Sequence, residues 1–185
     1  MYIRKYKTPE GFDDLLMSSD GEYLTGLWFE NSRYAQAYHA SSDCDADKYD
    51  DAADKESLPV FRACEKWLDG YFSGHPADVV PEIKIRNLTP FRKEVLDIVR
   101  DIPYGQTVTY GDIARQIADK RSKSPEGSQS GARMSAQAVG QAVGWNPICL
   151  IFPCHRVVGV NGSLTGYGGG LENKARLLLH EQKKA

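Results

Sequence analysis

The chain is predicted to fold as two small domains. The first is an N-terminal α/β unit, and the second is a mainly α-helical unit carrying a helix-turn-helix variant. Three observations predict this. β-rich segments and turn signals fill the first part, and capped amphipathic segments fill the second. A proline-containing extended stretch, Gly74–Asn87, lies between them. Charge changes sign there: residues 1–85 carry 9 Lys and Arg against 17 Asp and Glu, and residues 86–185 carry 14 against 8. The domains are placed at 1–88, with a linker from about 74 to 88, and at 89–185.

Each element has its own local reason. Ile3–Lys7 and Tyr23–Phe29 are β-rich, and Asp20-Gly21 is a turn signal between them. Residues 41–57 hold seven acids and two lysines with almost no large apolar side chains, which predicts a solvated loop or a poorly ordered helix. Leu58–Phe72 places Phe61, Leu68 and Tyr71 at helical spacing beside Cys64 and Trp67. Thr89-Pro90 is an N-cap and first-turn pair, opening a helix to about Arg100. Thr109 caps a short helix over Tyr110–Ala118, and residues 119–131 are polar and flexible. Ser135 caps a second short helix, Ala136–Val143, stopped by Gly144 and Asn146-Pro147. This helix is small, polar and uncharged, which suits close approach to a partner or tight packing on another helix.

Composition excludes several classes. The longest wholly apolar run, Ile148–Phe152, is far too short to span a bilayer, so no membrane partner is expected. The start of the chain has no apolar signal core, which predicts a cytoplasmic protein, nuclear in a eukaryote. Cys44, Cys64, Cys149 and Cys154 form no zinc-like or disulfide-like spacing, so reduced thiols and neither metal nor cofactor are expected. Cys64 and Cys149 sit among apolar neighbours, and Cys44 in an acidic stretch. His39, His75 and His180 are read as surface residues.

Cys154 stands apart. The run Ile148–Phe152 resembles a buried strand, ends at Pro153, and is followed by Cys154-His155-Arg156 on an extended chain. A thiol is a modest nucleophile until it loses its proton, and adjacent His and Arg favour the thiolate.

The segment Pro153-Cys154-His155-Arg156-Val157, with Asn146-Pro147 upstream and Gly166-Tyr167-Gly168-Gly169-Gly170 downstream, resembles the O6-alkylguanine-DNA alkyltransferases. Tyr104–Tyr110, Ala136–Gly140 and Lys174–Glu181 extend the match over residues 89–182 in the family's order and spacing, while residues 1–88 match loosely. The resemblance implies a ribonuclease H-like N-terminal domain and single-turnover transfer of an alkyl group from guanine O6 to a cysteine. It implies that Cys154 is the nucleophile, that His155 is its base through a water molecule, and that Glu181 holds the imidazole. Asn146 would fix the backbone around the cysteine, and Tyr110 would donate to guanine N3. Backbone groups of Cys154 and Val157 would read the exocyclic amine, and Tyr167, Gly168 and Gly169 would wall the base pocket. Arg156 would brace structure.

The partner implied is double-stranded DNA carrying O6-alkylguanine, with O4-alkylthymine as a further candidate, bound by a monomer. The base must leave the duplex to be reached. Ser135, Ala136, Gln137, Ala138 and Gly140 would enter the minor groove, and Ser135 and Lys174 would contact phosphates. Gln137 stands where many members carry an arginine, so flipping should survive with a smaller electrostatic share of DNA affinity. Arg133, four residues earlier, is a nearby source of charge.

Three alternatives remain at this stage. A Cys-His hydrolase normally has its partners far apart in sequence. An alkyltransferase-like lesion-binding protein lacks the cysteine. A plain helix-turn-helix regulator leaves the Pro153–Val157 motif without a purpose.

Overall fold

The computed structural model describes residues 1–33, 35, 58–75, 79–123 and 134–184. The expectations for the acidic stretch 41–57, with Cys44 and His39, and for Arg133 and most of 119–131 lie outside these residues. Strands β1 (Tyr2–Tyr6), β2 (Leu15–Ser19) and β3 (Leu24–Phe29) form an antiparallel sheet in the order β1-β2-β3. Tyr6 pairs with Leu15, and Leu15 with Phe29, with a bulge at Ser18/Ser19.

β2 is absent from the sequence expectation. All five of its residues are buried. Leu15 and Met17 join the main core, whereas Leu16 packs with Trp28 and Ala35 on the opposite face. A strand covered on both faces shows no polar alternation, and Leu-Leu-Met-Ser-Ser has no β-branched or aromatic residue to mark it.

The outer edge of β3 is closed by two distant segments. Leu24 bridges Ile83, with Leu24 N–H donating to Glu82 O at 2.8 Å and Lys84 N–H donating to Leu24 O at 3.0 Å. Leu27 bridges Ile148, and Cys149 N–H donates to Leu27 O at 2.8 Å. The expected linker is therefore partly an edge of the sheet, and these bonds satisfy backbone groups that an open edge would leave unpaired. The expected strand Ile148–Phe152 is corrected too. Only Ile148 bridges; the chain then turns through Leu150, whose φ is 66°.

Helix α1 (Pro59–Ser73) buries Phe61, Leu68 and Tyr71 and ends at left-handed Gly74. Helix α2 (Pro90–Arg100) is capped by Thr89 Oγ1, which accepts from Arg92 N–H. Helix α3 runs over Tyr110–Ser122, a turn beyond expectation. Thr109 and Asp112 close a capping box at its start. Helix α4 (Ala136–Gly144) packs against α2 and α3. Ser135 Oγ caps it, accepting from the N–H groups of Gln137 and Ala138. Helix α5 (Leu171–Lys184) closes the chain. A two-residue parallel pair, β4 (Val108–Thr109) with β5 (Val157–Val158), ties the start of α3 to the residues after Cys154.

One contiguous core runs from Leu15, Phe29 and Phe61 through Leu96, Ile113 and Val139 to Ile148 and Leu177. Among the described residues, no helix is long and apolar enough to cross a membrane.

Candidate active site

The site begins with the turn that carries Cys154. Residues Cys154–Arg156 form a single 3-10 turn, not the extended chain expected, so the two side chains do not alternate across a strand. Asn146 fixes the approach. Its Nδ2 donates to Phe152 O at 2.8 Å and to Cys154 Sγ at 3.0 Å, and its Oδ1 accepts from Ile148 N–H at 3.0 Å. The amide thus holds the sulfur as well as the backbone around it. Cys154 is 7% exposed. Cys64 and Cys149 are buried free thiols.

Behind the cysteine lies a buried polar network. His155 and Glu181 are both fully buried, with Nε2 and Oε1 2.7 Å apart. Arg156 grips the same carboxylate with Nε and Nη2, each at 2.9 Å, and donates from Nη1 to Ile102 O at 2.6 Å. Gly105 N–H donates to Glu181 Oε2 at 3.0 Å. Tyr71, from α1, donates its hydroxyl to Glu181 Oε1 at 2.7 Å.

Sequence reasoning placed Tyr71 only in the core. Helical spacing identifies a buried face but does not say what a buried hydroxyl will meet. His180 is packed rather than free: its ring meets Phe12 and Phe72 edge-on and is tilted against Tyr71.

The electrostatics reverse one expectation. Burial pushes the Cys154 thiol up, against the Asn146 bond and the nearby charge of Lys174, so the resting group is a thiol. Burial likewise lowers His155, whose ring is neutral at rest. Arg156 is committed to Glu181 and leaves its charge there. For Glu181, burial works upward, but the bonds from His155 and Arg156 hold it far below the ordinary carboxylate range.

Lys174 is a second correction. It is fully buried, and its Nζ donates to Val157 O at 2.7 Å and Thr165 O at 3.1 Å. Burial brings its pKa down to about 8. This ammonium cannot reach a phosphate. It braces the carbonyls of Val157 and Thr165 and bears on the sulfur through space.

Two neighbouring hollows lie on this side of the molecule, and the smaller reaches Cys154. The smaller is lined by Phe29, Asn146, Cys149, Cys154 and Tyr167–Gly169. The larger is an open groove lined by Tyr110, Ala136, Gln137, Gly140, Gln141 and Thr165, and both touch Gly144, Gly166 and Tyr167. Gly169 has no room for a side chain: an added Cβ would lie 2.7 Å from both Phe29 Cδ2 and Tyr167 Cε1. The Tyr110 hydroxyl donates to Thr165 O at 3.1 Å. The Ser135 hydroxyl oxygen accepts two backbone bonds at the head of α4, which leaves its own proton to donate outward. Ala136 and Gln137 are exposed on that helix, and Ala138 is half-buried.

A buried thiol bonded by an amide and followed by a histidine–carboxylate pair thus lies beside a helix pair. Residues 90–183 match the family described as 6-O-methylguanine DNA methyltransferase, DNA binding domain. The methylated-DNA–protein-cysteine methyltransferase of Haemophilus influenzae is 34% identical over 186 residues, spanning 99% of this chain and 87% of that one. The Mycobacterium bovis protein of the same name is 43% identical over 126 residues, 68% of each chain. Among solved structures, Mycobacterium tuberculosis OGT in complex with DNA superposes with a TM-score of 0.70 at 31% identity, covering 99% of this chain and 94% of that one. The chain belongs to the methylated-DNA–protein-cysteine methyltransferase family.

Proposed function

We propose that this protein repairs alkylated DNA by moving an alkyl group, methyl in the simplest case, from guanine O6 to Cys154 Sγ in a single turnover. The observation that carries the reading is Cys154 itself. It is a buried thiol held at the sulfur by Asn146 and followed directly by a histidine bonded to a buried carboxylate. The small-residue helix beside the groove and the relatives' names support a DNA substrate.

The chemistry follows from the geometry. With Glu181 ionised against Nε2, His155 offers Nδ1 as acceptor, and Nδ1 is buried without a protein partner among the described residues. The Cys154 proton passes to Nδ1 through one water, and Glu181 and the imidazolium balance each other. The thiolate then attacks the saturated carbon in line, and the bond from carbon to O6 breaks. The electron pair of that bond leaves on the base as a guanine anion, which takes a hydrogen bond at N3 from Tyr110 in exchange for Thr165 and a proton from water, while the imidazolium returns the cysteine's proton to water. Main-chain groups of Cys154 and Val157 read the exocyclic amine, and Tyr167, Gly168 and Gly169 wall the base. The product is a thioether with no acidic proton and no good leaving group, so the protein is spent.

The reading includes extrusion of the base through the minor groove. Ala136, Gln137 and Gly140 face the groove, and the Ser135 hydroxyl donates to a phosphate. It also includes a monomer acting on duplex DNA in the cytoplasm, or the nucleus of a eukaryote. The domain division at 88 belongs to the same proposal, supported by a family match that begins at residue 90, and so does the ribonuclease H-like topology, supported by the three-stranded antiparallel sheet followed by α1.

The test is incubation with duplex DNA carrying O6-methylguanine, followed by intact mass spectrometry. One methyl per chain, on Cys154 and absent in Cys154→Ser, is expected. Tight binding without mass gain would identify a lesion-binding protein instead, and guanine restored with the protein unmodified would overturn the mechanism.

A further inference from the structure

Tyr71 reaches the histidine–carboxylate pair from the N-terminal part of the chain. Its ring is fully buried, stacked on Trp67 at 5.6 Å and edge-on to Tyr104 at 5.8 Å and His155 at 6.3 Å. This cage leaves the hydroxyl one position. There it donates to Glu181 Oε1 at 2.7 Å, and its oxygen lies 3.3 Å from His155 Nε2. The hydroxyl has a single proton, already given to Glu181, so it presents only lone pairs to the imidazole. Glu181 also presents only lone pairs, since it receives its other bonds from Arg156 and Gly105. Nε2 therefore faces two acceptors, and a bare nitrogen there would be repelled by both.

We propose that Tyr71 is a positioning residue for alkyl transfer: its hydroxyl, shared between Glu181 and His155, fixes the imidazole with the proton on Nε2 and the lone pair on Nδ1. This rests on Cys154 being the alkyl acceptor and His155 its base. It has a corollary for the architecture, because the site is incomplete without α1.

Tyr71 also moderates the pair. Its donation to Oε1 draws carboxylate density away from the Nε2 proton, which keeps the imidazole a free base to lower pH. The charged and titratable groups around this point are few. Glu181, His180 and Lys174 come from α5, His155 and Arg156 from the 3-10 turn, Tyr104 from the loop after α2, and Tyr167 from the glycine-rich segment before α5. Burial, with the adjacent Glu181 charge, holds the Tyr71 proton in place well above neutral pH.

Two measurements on the full chain test this. In the wild type, imidazole ¹⁵N shifts should show neutral His155 as the Nε2–H tautomer across the pH range of transfer; the Nδ1–H tautomer would overturn the proposal whatever any variant does. In Tyr71→Phe, which keeps the ring, Glu181 becomes the stronger acceptor for the Nε2 proton. The acid limb of the transfer rate against pH should then move up by about one unit, and the plateau rate should fall about three- to ten-fold, a fraction of what losing a general base costs. A profile superimposable on the wild type, even with a lowered melting temperature, would make Tyr71 a packing residue only. A wild type that gains no methyl on Cys154 would overturn the underlying reading, and the proposal with it. That result appears in the wild-type mass spectrum alone.

Discussion

Asn146 commits both ends of its amide to one turn. Phe152 O and Cys154 Sγ share its donor, and Ile148 N–H takes its acceptor. Asn146→Ala would leave the Ile148 amide buried without its partner, a cost of about 1–3 kcal/mol, and would leave the Phe152 carbonyl with the bond from Cys154 N–H at 2.7 Å alone. It would also remove a bond that lowers the proton affinity of Cys154. The expected outcome is a lower melting temperature together with iodoacetamide labelling of Cys154 that requires higher pH. Unchanged labelling at reduced stability would show that the amide holds the backbone alone. Lys174 makes a related point about what a sequence can say. The resemblance implied a phosphate contact for it, but its stem and ammonium are enclosed, and only the fold reveals two carbonyls waiting for it.

At the scale of elements, α4 has the sharpest consequence. An added Cβ at Gly140 would lie 3.7 Å and 3.8 Å from Tyr110 ring carbons, an ordinary contact. Gly140→Ala should therefore stabilise the helix by up to about 1 kcal/mol. The same methyl narrows the groove between Gln137 and Tyr110 and should weaken binding of O6-methylguanine duplex about three- to ten-fold. A melting scan and a fluorescence titration would read the two effects separately; a more stable protein with undiminished DNA affinity would remove α4 from the interface.

The helices of this half were legible because their starts are chemical signals. Thr89, Thr109 and Ser135 each cap the helix their position announced. The sheet was less legible. β2 hides its period because both faces are buried, and Ile83 and Ile148 join β3 through single bridges that leave no local pattern. The Ile148–Phe152 run carried the hydrophobicity of a strand, yet it folds as a turn through left-handed Leu150. The site shows the same division. The residues of the cysteine motif and Glu181 stand at recognisable spacing, whereas the hydroxyl of Tyr71 enters from 84 positions away from His155.

For the molecule as a whole, acid should be the weak side. His155 is held neutral by burial, so below its ordinary pKa of about 6.5 the unfolded chain binds a proton that the folded chain refuses. Glu181 is held ionised by His155 and Arg156. Below about pH 4.3 the unfolded carboxylate takes a proton while the folded one stays charged. In both cases the unfolded state gains protons first, so stability falls with falling pH. Melting temperature should decline below about pH 6.5 and more steeply below about pH 4.3. Calorimetry from pH 8 to pH 3 would check this, and a melting temperature that rises on acidification from pH 6.5 to 4 would contradict it.

The carboxylate at the centre of that behaviour also sets a clock on biosynthesis. Glu181 lies on α5, whereas Tyr71, Gly105 and His155 are translated before it. A ribosome that has already made the cysteine turn holds a chain whose imidazole has no anion to lean on. Its Arg156 lacks the partner that keeps guanidinium and ring in place. The imidazole beside Cys154 thus gains its carboxylate only once α5 has docked, and a chain interrupted before Glu181 carries the cysteine and the histidine without that anion.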